Sequence, residues 1–358
     1  MTSSFNVHIF GDGSGETIFL EFANNKIGIV DFGYKNFVKW LDEYIEKKEE
    51  DISIEFLCWT HPHDDHTRYL YELLDYLKEK NLIIKNFFRF PFNKLRYLSE
   101  LIDIGVEQQR QIMPKLPFNY TGVAKPKYLL DLYNKISNFK HQGVIIHAER
   151  IQFLSELFKE GFLQENLSIH CIAPTEEDIE IYENIFQQVL LEKFPSEDLY
   201  PNSNKHNIIS VALNIKFGAN NIILGGDVEN PAWVHSMAIE RGKEYTCCNL
   251  SLLKAPHHGS ETAYSQENWN NWGKDFHTAV TTYNKANLPR HKGLSNIMNH
   301  TKNIYVLKDI HKNLLLGDKC KLLIGKMKVQ DDITTSPKAT NHIKFTIYED
   351  GKIEPEWL

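Results

Sequence analysis

Three histidines and two aspartates crowd into six positions in His61-Pro62-His63-Asp64-Asp65-His66. These are residue types that ligate transition metals, and they follow a short apolar run, Ile54, Phe56, Leu57 and Trp59, that reads as a buried strand. His61 and His63 stand two apart, so at an extended strand end both imidazoles point the same way and can grip one ion. Asp65 and His66 fall where the chain turns into a helix whose Leu70, Leu73, Leu74 and Leu77 recur at helical spacing, and from its first turn they can hold a second ion. Pro62 keeps the loop from closing into helix early. The alternative is a polar loop of hydrogen-bonded histidines, and four ligand-type residues at this spacing argue against it.

Such a cluster needs strands to aim it. Residues 5–10 and 17–23 alternate like a hairpin around a glycine-rich turn, and Lys26 to Asp31 continues the sheet. Asp31-Phe32-Gly33 then ends a strand at the same edge, with Asp31 either structural beside the site or a cap for the helix that follows. That helix, near residues 35–48, carries Phe37, Trp40, Leu41, Tyr44 and Ile45 on one stripe. Downstream, residues 168–173 read as a strand, and Thr175 caps a long helix with Asp178 in the reciprocal position. Residues 205–218 read as another strand. Ile222 to Asp227 is an apolar strand ending in a carboxylate, and Gly225 and Gly226 allow close backbone approach. One oxygen to each ion is the natural way to hold two cations about 3.5–4 Å apart, so Asp227 is expected to bridge. Pro256-His257-His258-Gly259-Ser260 follows one more apolar strand; if it stays extended, only one of its histidines faces the metals. Residues 344–348 and 353–357 read as a closing hairpin around Asp350-Gly351.

The run His61-x-His63-x-Asp65-His66 resembles the metal-binding signature of the metallo-β-lactamase fold hydrolases, and Val30-Asp31-Phe32-Gly33, Ile222 to Asp227 and Leu253 to Ser260 resemble further pieces of that family in its order. The Pro-His-His-Gly-Ser run and the opening Phe10 to Thr17 look most like the hydrolase domain of ComEC-type DNA-uptake competence proteins. The motifs span about residues 5–300. The resemblance implies an α/β chain folded as a four-layer αβ/βα sandwich, one domain over 1–358, holding two divalent ions, zinc or manganese. It implies metal ligands His61, His63, Asp65, His66, Asp227 and His258, the last because the family's ligand often precedes a glycine; His257 would then meet the scissile phosphate or leaving group, and the reverse assignment stays open. Where most of the superfamily offers a third site-one histidine, the branch has asparagine and serine, matched by Asn207 and Ser210; His206 is left as ligand, substrate contact or surface residue. Thr281 to Asn284 and Pro289 to His291 resemble the branch's late strand, with Asn284 and Ser260 as substrate contacts and His291 as an acid or phosphate ligand, or else a surface residue.

About 130 residues separate the histidine cluster from the next recognisable piece, more than a connection needs, and a mainly helical insertion over residues 85–165 is expected there, with helical patterns near 94–113, 127–139 and 150–158. The 358 residues, 42% hydrophobic, suffice for a large core. A net charge of −7 argues against broad coating of nucleic acid but leaves room for a local basic groove. Five cysteines without a C-x-x-C pair do not read as a disulfide frame, and no run approaches the roughly 18 apolar residues of a membrane span. A cytoplasmic address with reduced cysteines is the expectation, since no signal-peptide pattern opens the chain.

Two cations bridged by Asp227 can share a hydroxide oriented by Asp65 and neutralise charge on a five-coordinate phosphorus. The same chemistry opens β-lactams, thioesters and lactones. The competence-like run tilts the reading to a nuclease on DNA or RNA, and relatives beside ATPases in bacterial defence imply an effector with a partner protein. The alternatives are a hydrolase of cyclic nucleotides, phosphocholine-type esters or lactones, and a non-catalytic partner-binding module.

Overall fold

The computed structural model describes residues 3–48, 50–91, 126–191, 203–246, 249–308, 333–335 and 340–358. Strands β1 (Ser4–Gly11), β2 (Glu16–Glu21), β3 (Lys26–Val30), β4 (Ser53–Trp59), β5 (Ile84–Arg89) and β6 (Ile145–Arg150) belong to one sheet. A second takes β7 (Glu156–Phe158), β8 (Leu167–Ala173), β9 (Ala212–Phe217), β10 (Asn220–Leu224), β11 (Leu252–Lys254), β12 (His277–Thr281), β13 (Asn303–Leu307) and β14 (Ile333–Thr335). The chain then returns, and β15 (His342–Tyr348) and β16 (Ile353–Trp357) complete the first sheet beside β1. Each sheet is antiparallel in its early strands and parallel in its later ones, from β3 to β6 and from β10 to β14.

Parallel neighbours require crossovers, and helices supply them. They are α1 (Phe37–Glu46), α2 (Asp64–Thr67), α3 (Leu70–Glu79) and α4 (Pro126–His141) around the first sheet. Around the second are α5 (Glu176–Leu191), α6 (Asn230–Ala238), α7 (Glu240–Thr246), α8 (Gln266–Asn271) and α9 (His291–Met298). The layer order follows from the two-residue period of the strands. Ile222, Leu224, Leu252, Ala279 and Leu307 share a core with the first sheet, while their neighbours Ile223, Leu253, Val280 and Val306 pack with Trp233 of α6, Trp269 of α8 and Ile297 of α9. Between the sheets Phe5 meets Phe217 and Phe56 meets Phe158, with ring centroids 5.2 Å apart in each pair. Leu41, Leu73, Leu77 and Leu132 from α1, α3 and α4 cover the outer face of the first sheet. The result is a four-layer αβ/βα sandwich, the order that the resemblance implied.

Thr175 and Asp178 cap α5 reciprocally: the Thr175 hydroxyl accepts from the Asp178 amide at 3.2 Å, and Asp178 Oδ2 accepts from the Thr175 amide at 2.8 Å. Two expectations change. Residues 203–209 form a 3-10 turn rather than the start of a strand, because the Ser210 amide closes on Asn207 O and the Val211 amide reaches Thr60 O of the histidine loop. Residues 150–158, expected helical, end β6 and form β7, since pairing with β5 and β8 overrides local propensity. In its described parts the segment 85–165 supplies β5, α4, β6 and β7 to the two sheets; the helical pattern at 94–113 lies outside the described residues. Cys58 and Cys171 are free and buried. No helix among the described residues is long and apolar enough to cross a membrane.

Under α1, His8 Nδ1 of β1 lies 2.9 Å from His342 Nε2 of β15, and His342 stacks on Phe10 with centroids 3.9 Å apart. Burial pushes the His342 pKa down to about 3, with His8 and Lys344 adding to it, and burial also lowers that of His8 against the pull of Glu21. Both rings are neutral in the folded chain, whereas the unfolded chain takes up these protons near pH 6.5. Stability present above about pH 6.5 is therefore lost as pH falls toward 3, on the order of a few kcal/mol in all. Burial would raise the carboxyl of Glu21, but His8 at 3.6 Å and hydrogen bonds from Lys48 and Tyr44 hold it low, so it adds loss of the same sign at more acid pH. Urea melts between pH 7 and 5 should show the midpoint falling, and a His342→Phe variant, which keeps the stack, should fall less steeply.

Candidate metal centre

Parallel strands end together, and here the ends of β3, β4, β10, β11 and β12 deliver the site at one edge. His61, His63, Asp65, His66, Asp227 and His258 all converge there and all are buried. Their donor atoms form two groups. In the first, His61 Nε2 lies 2.9 Å from His63 Nδ1 and 3.5 Å from Asp227 Oδ2. In the second, His66 Nε2 lies 3.2 Å from Asp227 Oδ1, and His258 Nε2 lies 2.9 Å from Asp65 Oδ2 and 3.8 Å from Asp227 Oδ1. Asp227 thus turns one oxygen to each group.

The donor set fits two divalent cations. His66 Nε2 and Asp227 Oδ1 face each other buried and without hydrogen-bond partners, a costly state that a cation between them would relieve. Mixed imidazole and carboxylate ligands suit zinc or manganese. Without metal, burial would raise the carboxyl pKa of Asp65 and Asp227, but His66 and His258 outweigh it and hold both low. Burial would likewise lower the His66 pKa, yet Asp227, Asp31, Asp65 and Glu16 lift it well above the ordinary histidine value. A proton on His66 stands in for metal charge.

Backbone shape brings the loops this close. A Cβ on Gly33 would sit 1.5 Å from the Asp65 carbonyl oxygen, and one on Gly15 would sit 2.6 Å from it. Asp31, at φ +58°, does not cap α1, whose N-cap is Asn36; it accepts from the Thr60 amide at 3.0 Å and lies 2.7 Å from His66 Nδ1. A carboxylate behind a ligand histidine fixes its tautomer and ring orientation. Ser210 Oγ accepts from the Asp227 amide at 2.9 Å and lies 3.3 Å from His61 Nδ1.

The Pro-His-His-Gly-Ser segment is not extended. Strand alternation does not apply in its tight turn, where His257 and His258 both adopt left-handed backbone, at φ 46° and 52°. The turn still parts them. His258 enters the second donor group, while His257 Nδ1 sits 3.1 Å from Glu229 Oε1 and 3.5 Å from Asn207 Nδ2. His206 is buried rather than on the surface, with Nδ1 2.8 Å from the Tyr182 hydroxyl and its ring 5.7 Å from that of His63; burial, then His63, pushes its pKa down to about 3. Ser260 caps the next turn by accepting from the Thr262 amide. Asn284 is exposed over the Gly13 turn, its amide donating to Gly13 O. His291 is exposed at the start of α9, its side chain without a hydrogen bond or ion pair among the described residues.

Sequence reasoning passed over Glu16, Lys254, Glu229 and Thr281. Glu16 and Lys254 are fully buried, 2.5 Å apart, directly behind the second donor group. The available signal was a lysine closing the otherwise apolar Leu252-Leu253-Lys254.

No family model matches the chain, and no curated protein matches it. Among solved structures it is similar to the metallo-β-lactamase fold protein YhfI from Bacillus subtilis, at 10% identity over 99% of this chain and 100% of that one, with a TM-score of 0.41. It is also similar to an E377D mutant of the CmlA β-hydroxylase, at 12% identity over 96% of this chain, with a TM-score of 0.42; it spans 54% of that protein's length. The layer order given above stands on the strands themselves.

Because both donor groups use Asp227, an Asp227→Asn variant should lose high-affinity binding of both ions, whereas Asp65→Asn should lose one. Metal analysis after dialysis against buffered zinc or manganese measures the stoichiometry.

Proposed function

We propose that this chain is a metal-dependent phosphodiester hydrolase, with nucleic acid as its substrate. The observation that supports this most directly is the division of Asp227 between two donor groups, one oxygen to each. His61 and His63 would hold one ion, and Asp65, His66 and His258 the other. When bound, such a pair supplies Lewis-acid polarisation of an ester oxygen and a water acidic enough to react near neutral pH.

The chain's own residues do the rest. Asp65, whose Oδ2 meets His258 at 2.9 Å, is placed to orient the attacking water. His257 is a candidate proton donor to the leaving oxygen. Burial alone would lower its pKa, but Asp227 and the hydrogen bond to Glu229 raise it above the ordinary histidine value. Asn207, buried with its Oδ1 free of hydrogen bonds, brings its Nδ2 to 3.5 Å from His257 Nδ1. At the rim, Arg68 and Lys285 converge on Asp64, and they are the positive charge that a polyanion would meet there. An effector role in bacterial defence with an ATPase partner, in the cytoplasm, extends this reading and rests on the competence-like motifs alone.

Purified protein incubated with linear, circular and single-stranded DNA, RNA and a chromogenic phosphodiester, in Mn²⁺, Mg²⁺ or Zn²⁺, tests the assignment. Cleavage of polymer should need the metal and vanish in the Asp65→Ala, His66→Ala double variant. His257→Gln should keep its metal while kcat drops by about 100-fold or more. Turnover of the small ester alone would replace the nuclease with a small-molecule hydrolase, and inactivity in every metal would point to a non-catalytic module.

A further inference from the structure

A lysine at the end of an inner strand is an expensive thing to bury. Lys254 closes β11 with its side chain wholly excluded from solvent, and its Nζ lies 2.5 Å from Oε1 of Glu16, which is equally buried at the start of β2. Buried ion pairs often contribute less to stability than apolar residues of the same volume would, so this pair calls for a second reason. Its surroundings supply one. The Thr281 hydroxyl donates to Glu16 Oε2, and its oxygen and the Thr281 carbonyl lie 3.1 Å and 3.2 Å from His258 Nδ1. Glu16 Oε2 is itself 3.4 Å from His258 Nδ1, and Glu16 Oε1 is 3.8 Å from His66 Nδ1, the nitrogen that also meets Asp31.

Direction matters in this chain of contacts. An ionised Glu16 accepts only, so the Thr281 hydroxyl must donate toward it and can only accept from His258. His258 then carries a proton on Nδ1, and Nε2, 2.9 Å from Asp65 Oδ2 and 3.8 Å from Asp227 Oδ1, is the nitrogen that would take a cation. The Lys254 ammonium, against Oε1, is the cation set beside Glu16 in a pocket that already holds Asp31, Asp65 and Asp227. His61 is served differently, by Thr60 at 2.9 Å and Ser210 at 3.3 Å, and neither of these touches Glu16; Thr60 donates instead to Asp31.

We propose that Glu16 and Lys254 are positioning residues that, through Thr281, fix the tautomer and orientation of His258 and, beside Asp31, of His66, and so set the affinity of the second cation position while leaving the first unchanged. This rests on the dinuclear reading of the site. Its test is a Co²⁺ titration of the full chain, following stoichiometry and the visible d–d bands, in the wild type and in the Glu16→Gln, Lys254→Met double variant. Removing both charges together avoids stranding either one, and thermal melting checks that the fold is kept. The expected result is a first ion bound within about twofold of wild type and a second bound about 10- to 100-fold more weakly, with altered bands. Should the double variant take both ions with unchanged affinity and spectrum, or lose both in equal measure, the pair is an internal ion pair only. A wild type that takes fewer than two ions would instead overturn the dinuclear site itself, which separates the two failures.

Discussion

Two sheets meet at Asp227, and its carboxylate is divided between a group of donors on His61 and His63 and another on Asp65, His66 and His258. That division sets a tight geometric constraint. The first sheet must bring the end of β4 and the short helix α2 to one side, the second must bring the ends of β10 and β11 to the other, and neither can slip by a residue without turning its side chains away. The glycines at 15, 33 and 226 answer this constraint, because at each a Cβ would strike backbone oxygen of the opposing loop. Close approach of main chain to main chain, rather than any single hydrogen bond, makes the donor groups possible.

Charge is the second constraint. Asp31, Asp65, Asp227 and Glu16 are all buried close to one another, and Lys254 is buried among them. In the metal-free protein the surrounding carboxylates drive the His66 pKa up, while His61, desolvated by its own burial and repelled by His66, is driven down. Neighbouring histidines with opposite shifts are what a site built for added positive charge looks like before that charge arrives.

Much of this was legible in the sequence. The ligand cluster, the strand that leads to Asp227, which ends at Leu224, and the closing hairpin are local patterns, and local patterns survive folding when the residues that define them lie next to each other. What was not legible depended on distance or on backbone. Glu16 and Lys254 lie most of the chain apart and acquire meaning only when the start of β2 and the end of β11 come to the same edge. Glu229 follows Asp227 by two residues, yet nothing in its spacing says that it will face His257. The left-handed pair at 257 and 258 defeats any argument from strand alternation, although the assignment of His258 to the donor groups agrees with where the turn sends it. The strand expected from residue 205 starts only at Ala212, because residues 203–209 close into a 3-10 turn and Val211 bonds to Thr60.

The first sheet is discontinuous in sequence, since β1 pairs with β2 on one side and with β15, more than 300 residues later, on the other. During synthesis the outer edge of β1 therefore waits, unpaired, while everything between it and β15 is made. An open edge of alternating apolar residues is an invitation to pair with the wrong strand. The second sheet, whose strands follow one another in order from β7 to β14, meets no such delay. Vectorial synthesis thus leaves this protein with a late closing step, in which the hairpin of β15 and β16 seals an edge that has been exposed since β1 emerged.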